Sequence, residues 1–205
     1  KSFCSGADLN WMKQMNQYSM EENLQDAMKM AQLFHQIQIF PKPLIAQVNG
    51  VAMGGGLGLI AVCDGVVAQE KATFAFSEVR LGLIPAVISP YLLKKIGFSH
   101  SRQLMMSGEN FSTTTAKEIG LIHEICSLED LDVRAEAFAR KYLNNGPEAM
   151  AHIKRLLNRF EDVSENVMYV TAKAIAEQRA GVEGQEGIQA LLEKRKPSFF
   201  VEDSP

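Results

Sequence analysis

The chain has 205 residues, 46% of them hydrophobic and 22% charged, with a formal net charge of −3. That balance describes a globular chain with one sizeable core, and it excludes the Lys/Arg-rich footprint by which nucleic-acid and anionic-membrane binders are recognised. Lys71, Lys94, Lys95, Arg102, Lys154, Arg155 and Arg159 are scattered and read as solvated positions.

Taken in order, the chain opens at Lys1-Ser2-Phe3 without an initiator Met, a signal peptide or a charged arm, so it reads as the middle of something longer. A short segment runs to the small-residue turn Ser5-Gly6-Ala7-Asp8. Residues 9–40 then have helical character, because Leu24, Met28, Ala31, Phe34 and Ile37 recur at spacings of three and four. The methionines in this region (Met12, Met15, Met20, Met28, Met30) read as packing. Trp11, Met12 and Tyr18 either line a pocket or pack in the core. Pro41 and Pro43 stop the helix.

Residues 44–48 read as a buried strand, Asn49-Gly50 as a turn, and Gly54-Gly55-Gly56-Leu57-Gly58 as the approach to an apolar helix at 59–61. Strands are predicted at 66–68 and 73–76. Pro85 and Pro90 bracket a loop, and two short helices follow at 91–96 and 101–107, ended by Gly97 and Gly108. Beyond residue 131 the pattern is helical, at 133–143, 147–159, 163–179 and 187–194, and Gly146-Pro147 sets a proline at a helix start. The apolar run 48–68 is interrupted by glycines and Asp64, so it suits a core segment better than a bilayer.

Cys4, Cys63 and Cys126 are odd in number and far apart, which argues against a disulfide framework. They read as reduced, mostly buried thiols of a cytoplasmic protein, and no Cys/His spacing suggests a metal site. His35, His100, His123 and His152 are isolated and read as surface or capping residues.

The glycine cluster at 54–58 carries the chemical signal. A tight turn opening a helix leaves backbone N–H groups unpaired, which suits either a phosphate cradle or an oxyanion hole; close helix packing is the third reading. Nucleotide motifs fail on spacing: Leu59 stands where the third glycine of GxGxxG is needed, no Lys follows the glycines, and Asp64 comes too soon to bind a ribose. Glu78 sits in the largely apolar run Phe76-Ser77-Glu78-Val79-Arg80-Leu81-Gly82-Leu83. Burial there would raise its pKa and suit a general acid–base; a surface pair with Arg80 or a lysine is the alternative.

Phe3-Cys4-Ser5-Gly6-Ala7-Asp8-Leu9, Asn49-Gly50-Val51-Ala52-Met53-Gly54-Gly55-Gly56 and the run from Ser77-Glu78 to Pro85 resemble, in order and spacing, the signature blocks of the crotonase (enoyl-CoA hydratase/isomerase) superfamily. Glu193-Lys194-Arg195-Lys196-Pro197-Ser198-Phe199 resembles its C-terminal tail. The resemblance implies an α/β fold, with a crotonase-like ββα spiral core over residues 1–143, short of the family's N-terminal strands, and a helical trimerisation region over 144–205. It implies that the N–H groups of Ala7 and Gly55 hold a thioester oxygen and that Glu78 is the acid–base residue. Ser5, Gly6, Asp8, Leu9 and Gly54 would bind substrate. The position matching a second catalytic glutamate is Gly58, which departs from the two-glutamate pattern.

The run through Pro90 looks most like that of hydratases acting on branched 2-enoyl-CoA thioesters such as 3-methylglutaconyl-CoA, in leucine breakdown. Coenzyme A then enters as part of the substrate, with no separate cofactor and no metal, and the chain forms a homotrimer or a hexamer. A single-glutamate isomerase is one alternative, and a non-catalytic acyl-CoA or RNA-binding scaffold is another.

Overall fold

The computed structural model describes residues 2–160 and 164–199, with the side chain of Phe160 outside that set. In chain order the elements are β1 (Ser2–Cys4), α1 (Leu9–Met15), α2 (Met20–Gln38), β2 (Ile45–Val48), β3 (Val51–Met53), α3 (Gly55–Ala61), β4 (Gly65–Gln69) and β5 (Thr73–Ala75). A 3-10 turn at Ser77–Leu81 follows, then α4 (Ser89–Ser107), β6 (Phe111–Ser112), α5 (Thr113–Glu118) and β7 (Glu124–Cys126). Four helices close the chain: α6 (Leu131–Arg140), α7 (Pro147–Phe160), α8 (Glu165–Ala180) and α9 (Val182–Leu192).

From β1 to β5 successive strands alternate between two sheets, one ordered β1-β3-β5-β6 and the other β2-β4-β7, and β6 then returns beside β5. All pairings are parallel except β5 with β6. Parallel strands need crossovers, and here each crossover passes through the other sheet and a helix, so the chain winds as repeated ββα turns. The main core joins both sheets to the helices: Phe34, Val48, Leu57, Phe74, Leu92 and Ile188 are buried in one apolar cluster. A smaller cluster of Val67, Leu131, Ala135 and Phe138 seats α6 on the second sheet.

Several sequence expectations change. The helix expected over 9–40 is two helices, split because Ser19 starts a new one: Ser19 Oγ accepts the Glu22 N–H at 3.2 Å and the Glu22 carboxylate accepts the Ser19 N–H at 2.8 Å. β3, β6 and β7 are two or three residues long, too short to show a period, and they and α5 escaped the pattern reading. Helix α3 starts at Gly55 rather than Leu59, because packing overrides glycine's poor helix propensity. Pro90 lies in the first turn of α4 rather than in a loop, where its missing N–H costs little. Gly97 (φ 74°, ψ 166°) is non-helical and divides α4 into two helical stretches, as its place in the sequence indicates. The helix expected at 163–179 is α8; residue 163 lies outside the described residues.

The thiols of Cys4, Cys63 and Cys126 are free, and all three residues are half-buried. His123 serves the second sheet, its Nδ1 accepting the Val66 N–H at 3.0 Å. Lys154, expected in solvent, is instead mostly buried. Its Nζ donates to Asp64 Oδ2 at 2.6 Å and to the Lys42 carbonyl at 3.2 Å. No described helix is long and apolar enough to cross a membrane, and no group of three or more His, Cys, Asp or Glu among the described residues is placed to hold a metal.

Asp64 Oδ2 also accepts the Leu44 N–H at 2.7 Å, so one carboxylate ties α7 to the start of β2. Asp64→Ala leaves both a backbone donor and a poorly solvated ammonium without a partner. Its expected cost is about 2–4 kcal/mol in denaturant unfolding, more than typical for a surface carboxylate.

Candidate active site

Strands β1, β3 and β5 lie side by side and parallel, with Cys4 opposite Ala52 and Met53 opposite Ala75. Their carboxyl ends therefore open at the same edge, the position where ligands meet parallel sheets. From that edge leave three segments: Ser5 to Ala7 towards α1, Gly54 into α3, and Phe76 into the 3-10 turn. All three line one cavity of about 570 Å³, whose wall includes Ala7, Gly55, Glu78 and Arg179.

Close backbone approach makes this juxtaposition possible. Gly54 adopts φ 54° and ψ −122°, a conformation that L side chains rarely adopt, and its N–H donates to the Ala75 carbonyl at 3.2 Å. A Cβ there would stand 3.1 Å from Glu78 Oε1, so the carboxyl group lies directly against this turn. At Gly56 a Cβ would meet Cys4 Cβ at 2.6 Å; the first turn of α3 thus rests on the end of β1. Leu57 is the first residue of α3 whose N–H folds back, onto the Gly54 carbonyl at 2.9 Å. The N–H groups of Gly55 and Gly56 stand ahead of it, as helix-opening donors do.

Of the residues expected to bind substrate, Ser5, Gly6, Leu9 and Gly54 line the cavity. Asp8 does not; its carboxylate caps α1, accepting the N–H groups of Asn10 at 2.9 Å and Trp11 at 3.0 Å. A side chain occupied in this way is a poor ligand for an anionic substrate, and its contribution is to fix the loop before the helix. Trp11 and Met12 line the cavity, whereas Tyr18 packs on the core.

Glu78 is placed by its neighbours. Leu83 N–H donates to the Glu78 carbonyl at 3.0 Å, Gln178 Nε2 donates to the Gly82 carbonyl at 2.6 Å, and a Cβ on Gly187 would meet the Leu81 carbonyl at 2.1 Å. Helices α8 and α9 thereby clamp the 3-10 turn from behind. The Glu78 carboxyl is buried, and its Oε2 has no hydrogen-bond partner among the described residues. Burial pushes its pKa up to about 7, against a smaller opposing effect of a backbone hydrogen bond. Arg80 is not its partner; Arg80 Nη2 donates to Asn110 Oδ1 at 3.2 Å.

The space beside Gly58 is filled by apolar atoms. A Cβ on Gly58 would stand 2.4 Å from Ile88 Cγ2 and 2.9 Å from Phe34 Cε1. A glutamate cannot occupy that space without displacing both side chains.

Sequence reading passed over Arg179 entirely. It is 5% exposed and lines the cavity. A signal was present: Met168, Ala172, Ile175, Ala176 and Arg179 share the buried stripe of α8, and an arginine on such a stripe is the unusual member.

Comparison with known proteins agrees with this architecture. The family model for enoyl-CoA hydratase/isomerase matches residues 1–202. The 2,3-dehydroadipyl-CoA hydratase of Escherichia coli is 33% identical over 199 residues, covering 96% of this chain and 76% of that protein. The short-chain-enoyl-CoA hydratase of Clostridium acetobutylicum is 30% identical over 202 residues, with 98% and 76% covered. Among solved structures, an enoyl-CoA hydratase from Shewanella pealeana superposes with a TM-score of 0.76 at 44% identity, over 97% of this chain and 75% of that one.

The raised pKa of Glu78 has a sign that stability measurements read. An acid whose pKa is higher folded than unfolded favours the fold below the unfolded value, and that contribution is lost as pH rises through the folded value, here from about 4.5 to about 7. Glu78→Gln is therefore expected to stabilise the protein by on the order of 2 kcal/mol at pH 8 and by little at pH 4. Denaturant melts of both proteins at the two pH values check this.

Proposed function

The chain belongs to the enoyl-CoA hydratase/isomerase family, and on that premise we propose that it adds water to a 2-enoyl-CoA thioester, or removes it, with Glu78 as the acid–base residue. One observation carries the reading: three adjacent parallel strands deliver Ala7, Gly55 and the buried carboxyl of Glu78 into a single cavity.

In this reading the thioester oxygen accepts hydrogen bonds from the N–H groups of Ala7 and Gly55. Those donors matter most when the oxygen carries the negative charge of an enolate, and each is worth on the order of 3 kcal/mol. Helix α3 has only seven residues, so its dipole adds little to the two discrete donors. Ionised Glu78 takes a proton from water as the water oxygen bonds to C3, and the π electrons move onto the thioester oxygen. The enolate then collapses, C2 takes a proton from Glu78, and the carboxylate is restored. A pKa of about 7 suits a group that must both accept and donate near neutrality.

A branched acyl group such as 3-methylglutaconyl is the substrate we assign. In support, the wall around Met12, Met15, Met30 and Leu83 is apolar and its methionines are adaptable, which suits a bulky acyl chain. The packed space at Gly58 also favours a second reading, in which Glu78 alone moves a proton between C2 and C4 of a 3-enoyl thioester.

Glu78→Gln is expected to lower turnover about 10²–10⁴-fold with acyl-CoA binding little changed. In the parent enzyme kcat/KM rises with pH to a plateau above about 7, because the base must be ionised. Gly55→Pro removes one donor at the first helical position, where proline is tolerated and nothing stands within 4 Å of an added Cβ; it is expected to cost about 10²–10³-fold. An absorbance assay with crotonyl-, 3-methylglutaconyl- and 3-enoyl-CoA reads all of these. Isomerisation of the 3-enoyl thioester without hydration of the others selects the second reading, and full activity of either variant removes the mechanism.

For assembly we assign a homotrimer or a pair of trimers. Ile153, Leu156 and Leu157 of α7 are 55%, 53% and 54% exposed and form an apolar stripe that a partner copy would cover. Ile188 of α9 is buried in the chain's own core and is not available for that purpose. Sedimentation of the purified protein is expected to give three or six subunits; a monomer at micromolar concentration overturns the assignment.

A further inference from the structure

The cavity holds a charge that the chemistry above does not use. Among the described residues lining it, the charged ones are Glu78, Arg80 and Arg179. Arg80 is exposed. Arg179 is 5% exposed, comes from the buried stripe of α8, and shares the wall with Trp11, Met15, Ile175 and Leu191. Its guanidinium carbon stands 5.1 Å from the centre of the Trp11 ring. Nη1 donates to Asp26 Oδ2 at 3.1 Å, while Nε, also buried, has no hydrogen-bond partner among the described residues.

A guanidinium presents five N–H donors in a planar fork matched to a carboxylate, and Asp26 engages it through one nitrogen. A buried cation with an orphaned donor is costly, and a buried ion pair that only joined α8 to α2 would do so no better, as a rule, than well-packed apolar residues. Asp26 does not line the cavity, so it satisfies the guanidinium from outside and leaves the cavity side to be satisfied by something else. The Trp11 ring, 5.1 Å away, adds a cation–π contact to the same guanidinium.

We propose that Arg179 receives a carboxylate at the far end of the acyl group, which makes it the residue that selects ω-carboxylated 2-enoyl-CoA thioesters over uncharged ones of the same length. The assignment rests on the reading given above for one step: with the thioester at Ala7 and Gly55 and the reacting carbons at Glu78, the remainder of the acyl chain runs along the apolar wall, where Arg179 is the buried cation.

Binding tests this without requiring turnover. By titration calorimetry the unaltered protein is expected to bind glutaryl-CoA at least about tenfold more tightly than pentanoyl-CoA, the size of effect expected of a charge-assisted fork. In Arg179→Gln that preference disappears while pentanoyl-CoA binding is retained; in Arg179→Lys, which keeps the charge and loses the fork, it is partial. A purely structural role would weaken both ligands together and overturn the proposal. So would equal or weaker binding of glutaryl-CoA by the unaltered protein, a comparison that holds even where a variant fails to fold. Turnover of glutaconyl-CoA and 2-pentenoyl-CoA decides the parent reading separately. If neither is hydrated the hydratase assignment fails with the binding preference intact; if the pentenoyl thioester is hydrated and no preference exists, Arg179 alone is misassigned.

Discussion

Everything at this site depends on three parallel strands ending side by side with their backbones almost in contact. The loops after β1 and β3 approach closely because position 56 has no side chain to strike Cys4. The turn at Gly54 then lies directly under the Glu78 carboxyl. A methyl group at 56 would force the two loops apart, and misplacement of the order of 1 Å is enough to disable a catalytic arrangement. The site is a property of backbone packing before it is a property of side chains.

That packing is held from outside by the C-terminal helices. Helices α8 and α9 press on the 3-10 turn through the Gln178 hydrogen bond and the approach of Gly187 to the Leu81 carbonyl. The same helices contribute Met168, Ile175 and Ile188 to the main core. They also bring Arg179 and Leu191 into the cavity wall. Cavity and scaffold are therefore built from the same elements, and a change in how α8 seats on α2 alters the pocket as well as stability.

Glu78 and Arg179 both bury their charged ends in this largely apolar wall, each under a different compromise. Glu78 has no partner for Oε2, so burial raises its pKa, a local cost in stability above neutral pH that keeps both protonation states accessible. Burial lowers the Arg179 pKa, and Asp26, reaching the guanidinium from behind, opposes that shift. The space beside Gly58 is filled by Ile88 and Phe34, so hydrocarbon and not a charged group occupies it.

The sequence by itself determined the family, the order of the signature blocks, the long amphipathic helices and the candidate residues Ala7, Gly55 and Glu78. These lie in short contiguous segments whose local chemistry, small turns beside apolar runs, can be read along the chain. It was silent on β3, β6 and β7, because a period needs more than two or three residues to be seen. It also erred on Lys154, whose fate depends on what lies opposite it. Only the tertiary structure decided that β1, β3 and β5 are neighbours, that Asp8 caps a helix, and that Arg179, 101 positions after Glu78, shares its cavity. The physical reason is that burial and charge pairing are set by contacts between distant segments, and a one-dimensional pattern carries a residue's own chemistry but not the surroundings that tune it.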